Sequence, residues 1–437
     1  MLVEDLIGNE IRCAYEGRLP SIPKHFFLSE DAPLHLAQAL ASELGPRRAC
    51  VLFDERTRRA AGAPCLHALA AEGFEAREML VPDRDGASPV CDDHTLRWLL
   101  ARMPSTDVIV AVGSGVINDL AKWAAATLDV PYAVLATASS MNGYTSANVA
   151  PTVEGVKSLV PGKAARAVAA APSVLGAAPY RMTTAGFGDL IAKPVSTADW
   201  VVSQHLTDEP FSAALAALAD RPDGTLFARP EGLAQGDPAS VRALFEALVL
   251  SGCAMTLHGS SLPASGGEHV ISHTLDMMSA ADGTPHDLHG RQVGVATIVV
   301  AALWQRLMEM QAPVFEPVLP PLEASIWGAA APAVQRQHEA KEVVLRMACE
   351  RLSLSGYWDG VREAVRPHLR PPAWVKDRLH RANGATRLSH IGCSRARFLT
   401  ALRHGSAMRT RLTCLDLVRM AGLPPEQEES IVDTWVT

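Results

Sequence analysis

Residues 107–138 read DVIVAVGSGVINDLAKWAAATLDVPYAVLATA, and their reading decides the fold. A buried strand over 107–115 runs into a glycine turn, a strong helix follows over 116–129, and a second apolar strand over 131–138. Short apolar runs bounded by turn residues mark strands covered on both faces. Working back towards the start, HTLRWLLARMP (94–104) is a helix, FEAREMLVP (74–82) is strand-like and RTRRAAGAPCLHALAAEG (56–73) is helical. RRACVLFDE (47–55) is an apolar strand ending on an acid, HLAQALASELG (35–45) has helical spacing, and KHFFLSEDAP leads into the first core element. Strands alternating with helices imply a parallel sheet with helices on both faces.

Working forward, the pattern changes over 151–177. PTVEGVKSLVPGK carries Pro, Gly and Lys, and ARAVAAAPSVLGAAP is Ala-rich. From Tyr180 no further alternation is visible, and helices are expected over 182–206, 211–221, 238–257, 264–280, 291–313, 335–353, 357–367, 373–382, 394–403 and 411–421. PVFEPVLPPLEAS (313–325) reads as a rigid connection. The expected architecture is an α/β Rossmann-like nucleotide domain over 1–177 and an all-α domain over 178–437.

A length of 437 residues exceeds the usual single core, and 48% hydrophobic content is enough to fill two. A net charge of −7 argues against a nucleic-acid partner, which selects a basic face. The start, MLVEDLIGNE, has no basic region ahead of an apolar core, so no secretory signal is read there. The longest apolar run noted, VGVATIVVAALW (293–304), is too short to cross a bilayer, and no membrane partner is expected. Eight cysteines without a CxxC pair suit reduced thiols in the cytoplasm better than a disulfide framework.

Gly113, Ser114 and Gly115 follow a strand and open a helix, where backbone N–H groups and the helix dipole favour a phosphate. A plain tight turn has the same spelling. Asn118 and Asp119 lie in the first turn of that helix, where a capping role is the simpler reading. Asp54, ending the 47–55 strand, either accepts hydrogen bonds from a ribose or caps the next helix. Thr137, Ser140, Asn142 and Ser146 lie in TASSMNGYTS, at and beyond the carboxyl end of the 131–138 strand, where open α/β sheets bind ligands.

In the helical half, SGGEHVISHTLDMMSAADGTPHDLHG (265–290) places His269 and His273 four apart on one helix face, with His286 and His289 in the turn that follows. Two imidazole sources and a carboxylate would hold one cation and leave a position open, and Asp189 in AGFGDLIAKP is the candidate carboxylate. The glycines of GFGD allow a close approach. Such a donor set suits zinc or iron, and nickel is also compatible. His286 stands too near His289 to converge with it and is taken as a loop residue.

GSGVINDLAK (113–122), TASSMNGYTS (137–146), AGFGDLIAK (185–193), SGGEHVISH (265–273) and LHGRQVGVAT (288–297) occur in this order. In that order the chain resembles the glycerol-1-phosphate dehydrogenases, of the iron-containing alcohol dehydrogenase and dehydroquinate synthase-like class. The resemblance covers about residues 50–420. It implies NAD, with NADP also possible, on the N-terminal sheet and one divalent metal in the helical domain, with the active cleft between. Carried over, the metal ligands are Asp189, His269 and His289, and His273 is a proton relay. Gly113, Ser114, Gly115 and Asp119 match the pyrophosphate block, Thr137 and Ser140 the nicotinamide side, and Asp54 the position that favours NAD. Asn142 departs from the family, which carries Asp there against a substrate hydroxyl. The implied reaction is reduction of dihydroxyacetone phosphate, or a related small ketone, by a homo-oligomer, expected to be a dimer. Alternatives are another polyol or alcohol dehydrogenase, a dehydroquinate synthase-like lyase, or a metal- and nucleotide-binding protein without turnover. Lys157, Lys193 and Arg291 are candidate phosphate contacts.

Overall fold

The computed structural model describes residues 22–84, 86–154, 156–158, 160–219 and 224–437. Its six-stranded sheet is built from β1 (His25–Leu28), β2 (Arg48–Phe53), β3 (Glu75–Leu80), β4 (Val108–Gly113), β5 (Tyr132–Ala136) and β6 (Ala167–Ala170). The order across the sheet is β1-β6-β5-β4-β2-β3, and all neighbours run parallel. The intervening helices are α1 (Ala32–Leu44), α2 (Ala63–Ala71), α3 (Asp93–Leu100) and α4 (Gly115–Leu128). Leu36, Leu40 and Leu69 from α1 and α2 pack on Val51, Phe53, Val110, Val112 and Leu135 of the sheet. The strand order reverses between β2 and β4, so the carboxyl ends carrying Asp54 and Gly113 flank the switch point where such sheets bind ligands.

Two strands depart from the expected reading. β1 lies inside KHFFLSEDAP, so Asp54 follows the second strand, not the first. β6 lies inside the Ala-rich stretch taken as the end of the alternation, yet it sits between β1 and β5 in the sheet. Its residues Ala167-Val168-Ala169-Ala170 are all fully buried but mostly without the β-branched or aromatic side chains that announce a strand.

After β6 come α5 (Pro172–Ala177), α6 (Tyr180–Leu190), α7 (Lys193–Thr207), α8 (Pro238–His258), α9 (Gly267–Asp282) and α10 (His289–Glu309), then further helices to Trp435. The single helix expected over 182–206 is broken at 191–192, because Pro194 stands in the first turn of α7, where its missing N–H costs nothing. α8 corrects only the expectation that no apolar stretch is long enough for a bilayer. It is 21 residues long with mean hydropathy 1.4, long and apolar enough to cross a bilayer by length and composition, and 72% of its apolar window is buried in the fold. Ser251, Gly252 and Thr256 break its apolar run in the sequence and hid its length.

The chain divides into two compact units: Met1–Glu154, Ser158–Gly186 and Arg221–Ser260, and Gly155–Lys157, Phe187–Asp220 and Ser261–Thr437. The division is not one cut at 177/178, since residues 221–260 pack with the sheet unit. In that unit α8 lies against the 142–145 loop: Thr145 Oγ1 donates to the Val249 carbonyl at 2.7 Å and Thr256 Oγ1 to the Thr145 carbonyl at 2.8 Å. In the other unit α10 is buried along nearly its whole length from Gly290 to Leu307, as befits a helix apolar all round.

Candidate metal centre and coenzyme site

Asp189 comes from the last turn of α6, His269 from the first turn of α9 and His289 from the start of α10. Their ligand atoms lie within 4.8 Å of one another. His269 Nε2 is 3.1 Å from Asp189 Oδ1, and the His269 and His289 rings meet edge-on with centroids 5.1 Å apart. Backbone contact makes this possible. A Cβ on Gly188 would overlap the Gly290 carbonyl, and one on Gly294 would sit 3.2 Å from the Gly188 Cα. The residues beside Asp189 and His289 are therefore glycines at the point where α6 and α10 touch.

Asp189 is 2% exposed and His269 5%. Burial alone would push the Asp189 carboxyl up, but the Lys193 ammonium and both imidazoles outweigh it and hold the carboxyl far below the usual range. Burial likewise opposes the His269 imidazolium, yet hydrogen bonds to Asp189 and Glu268 leave its pKa raised. Lys193 is fully buried, with Nζ 3.4 Å from Asp189 Oδ1 and 3.1 Å from the Ala264 carbonyl. It therefore holds Asp189 and is not the phosphate contact expected of it. Arg291 is engaged too, donating to Asp287 Oδ2 and to the His390 carbonyl, both at 2.7 Å. The side chain of Lys157 lies outside the described residues.

Sequence reasoning missed the groups behind the imidazoles. Glu268 Oε1 lies 2.6 Å from His269 Nδ1. Ser272 Oγ lies 2.9 Å from His289 Nδ1 and accepts from the Gln292 side-chain N–H at 2.7 Å. The signal was present, since Glu268 adjoins His269 and Ser272 stands one helical turn beyond it. His273, Asp276 and His289 form a second group within 4.8 Å, half-buried throughout, with the His273 and His289 rings stacked at 4.9 Å. His286 lies in the loop, with Nδ1 3.1 Å from Asp276. One carboxylate with two imidazoles, buried and backed by a cation, fits a borderline dication.

In the sheet unit Ser114 precedes α4 in extended conformation and makes no side-chain cap. A Cβ on Gly115 would meet nothing nearer than Met141 Sδ at 4.0 Å, which leaves the turn open to a phosphate. Asn118 and Asp119 do not cap α4. Asn118 Nδ2 donates to Asp119 Oδ1 at 3.0 Å, and Asn118 Oδ1 is buried with no hydrogen-bond partner among the described residues. Asp54 does cap: its Oδ1 accepts from Thr57 N at 2.8 Å, and its Oδ2 takes Arg56 Nε at 3.3 Å. Thr137 is buried, its N–H donating to the Gly113 carbonyl at 3.1 Å. Ser146 Oγ accepts from Asn148 N at 3.2 Å, Ser140 is half-buried, and Asn142 Nδ2 donates to Ser251 Oγ at 3.3 Å. Lys122, fully buried, ties this loop to α4 by donating to the Gly143 and Asn148 carbonyls at 2.7 and 3.0 Å.

Residues 28–179 match the family described as iron-containing alcohol dehydrogenase. The chain is 36% identical to a glycerol-1-phosphate dehydrogenase (NAD(P)+) of Bacillus subtilis over 59% of its own length and 66% of the relative's. It thus spans just under two thirds of that curated relative. It is 31% identical to the enzyme of the same name from Halalkalibacterium halodurans over 73% of this chain and 80% of that one. The solved glycerol dehydrogenase of Schizosaccharomyces pombe shares the fold, with TM-score 0.63 at 16% identity over 96% of this chain and 90% of that one. Taken with the parallel sheet and the Asp–His–His convergence, these likenesses show that the chain belongs to the iron-containing alcohol dehydrogenase family, alongside its glycerol-1-phosphate dehydrogenases.

Proposed function

We propose that the chain is a metal-dependent NAD(P)H oxidoreductase that reduces dihydroxyacetone phosphate, or a related small ketone, to sn-glycerol 1-phosphate or the corresponding alcohol. The observation that carries this reading is the convergence of Asp189, His269 and His289 within 4.8 Å. It occurs in a chain similar to enzymes named for that product. When bound, the dication supplies a Lewis acid for a carbonyl oxygen and the coenzyme supplies the hydride.

Asp189, His269 and His289 would hold the dication as its three protein ligands, a set that would leave a position for substrate or water. Lys193 fixes the Asp189 carboxylate and offsets its charge within the buried site. Gly113, Ser114 and Gly115 bind the pyrophosphate through N–H groups at the start of α4, and Asn118 and Asp119 flank it. Asp54 meets the ribose with the same carboxylate that caps the helix after β2, and Thr137, Ser140 and Ser146 line the nicotinamide side. Asn142 presents an amide to a substrate hydroxyl, where it both donates and accepts. His273 passes a proton from its ring to the oxygen of the reduced product. Cytoplasmic location and a homodimer belong to the same reading.

A second reading, reduction of an unphosphorylated polyol ketone, gains weight from Lys193 and Arg291, which are both committed to internal partners. One assay separates the two. The purified chain is stripped with chelator, reloaded with zinc, iron or nickel, and followed by NADH absorbance with dihydroxyacetone phosphate and with dihydroxyacetone. Turnover should vanish on stripping and return on reloading. Turnover that ignores the chelator would sink the metal role, and a preference for the unphosphorylated ketone would select the second reading.

A further inference from the structure

Glu268 is fully buried, and one of its oxygens does two jobs. Oε1 accepts the Gly266 N–H at 2.9 Å and lies 2.6 Å from His269 Nδ1. Oε2 is buried with no hydrogen-bond partner among the described residues. A Cβ on Gly266 would fall 2.6 Å from Asp199 Oδ2 and 2.9 Å from Glu268 Oε2, so the turn before α9 admits only glycine and both carboxylates face it. Asp199 is satisfied by three N–H donors, from Gly267 at 2.7 Å, Cys414 at 2.9 Å and Trp304 at 3.1 Å. The half-buried Arg411 donates to the Ser265 carbonyl at 2.6 Å and Ser261 Oγ at 3.2 Å, and its charge acts on both carboxylates.

Resting on the metal reading above, we propose that Glu268 is the positioning residue of the centre: its carboxylate fixes His269 with the hydrogen on Nδ1 and Nε2 turned towards Asp189, and its charge strengthens Nε2 as a donor. A carboxylate only accepts, so a ring nitrogen 2.6 Å away carries the hydrogen. His289 Nδ1 instead meets the Ser272 hydroxyl at 2.9 Å, which both donates and accepts, so different groups back the two imidazoles.

Glu268→Gln isolates the charge. The amide oxygen keeps both Oε1 hydrogen bonds, and its NH2 takes the place of the unpartnered Oε2, facing the acceptor Asp199. The full-length chain, Glu268→Gln, Glu268→Ala, Glu268→Asp and His269→Ala are titrated with cobalt(II) against a competing chelator, recording stoichiometry, affinity, the cobalt d–d spectrum and the melting midpoint. The parent should bind one equivalent. Glu268→Gln should melt within about 2 °C of it yet bind roughly 10–100-fold more weakly, with a shifted spectrum. Should Gln fail to fold, Glu268→Asp decides: it keeps the charge and should bind more tightly than Glu268→Ala. Parent-like affinity and spectrum in Glu268→Gln, or Asp no better than Ala, would overturn the proposal. A parent that binds no cobalt, or a His269→Ala variant that binds it unchanged, would instead overturn the metal reading beneath it.

Discussion

Gly188→Ala should dismantle the metal centre without touching a ligand. In an isolated helix the change would be favourable by about 1 kcal/mol, since alanine is the better helix former. Here the new methyl would overlap the Gly290 carbonyl oxygen and lie 3.0 Å from its carbon and 3.4 Å from the Gly294 Cα. Ordinary carbon–carbon contacts need about 3.5–4.0 Å, so α6 and α10 must separate by roughly 0.5–1 Å. Backbone cannot rotate aside as a side chain does, and overpacking of this kind costs about 1–3 kcal/mol. The larger effect is on the centre. Metal–ligand distances tolerate about 0.2 Å, and the neighbouring Asp189 and His289 ride on the two helices being separated. Structural zinc sites with four ligands contribute about 10–16 kcal/mol, or about 2.5–4 kcal/mol per ligand, so weakening one ligand should cost on the order of 100-fold in affinity. Cobalt or zinc competition titration measures the affinity, and urea unfolding of the stripped protein measures the stability. A Gly188→Ala chain as stable as its parent, with affinity within about threefold, would refute the close-approach argument.

Lys122→Met should leave the Gly143 and Asn148 carbonyls without their donor and cost about 1–3 kcal/mol in urea unfolding. Because those carbonyls belong to the loop proposed to line the coenzyme, NADH affinity should also fall, and a variant unchanged in both would remove Lys122 from that role. At the other end of the sheet, Arg48 grips Asp107 through Nε at 3.0 Å and Nη2 at 2.7 Å and holds its carboxyl down at about 2. A depressed acid contributes stability above its unfolded pKa of about 3.9 and loses it as pH falls towards 2. Asp107→Asn should therefore lower the melting midpoint above pH 5 and converge with the parent near pH 2. A difference independent of pH would rule out the ion pair as its source.

Most of the scaffold was legible along the chain because its signals are local. Apolar runs ending in turns announced β2, β4 and β5, and the GSG turn announced the start of α4. β6 escaped because Ala167-Val168-Ala169-Ala170 owes its place to parallel partners on both sides, not to its own propensity. α8 escaped as a long apolar helix because polar residues interrupt it, and its grouping with the sheet unit was not legible because packing partners are not written in periodicity.

Of the centre, the sequence by itself determined the donor types: an acid among glycines, and histidines at helical spacing on one face and in the turn beyond. Tertiary structure alone decided the rest. It bent Asp189, His269 and His289 to within 4.8 Å, turned Lys193 inward onto Asp189 and set Glu268 behind His269. The physical reason is reach. Helix and strand signals come from hydrogen bonds and side chains a few residues apart, whereas these contacts join residues some 80 and 100 positions apart and exist only where α6 and α10 meet backbone to backbone.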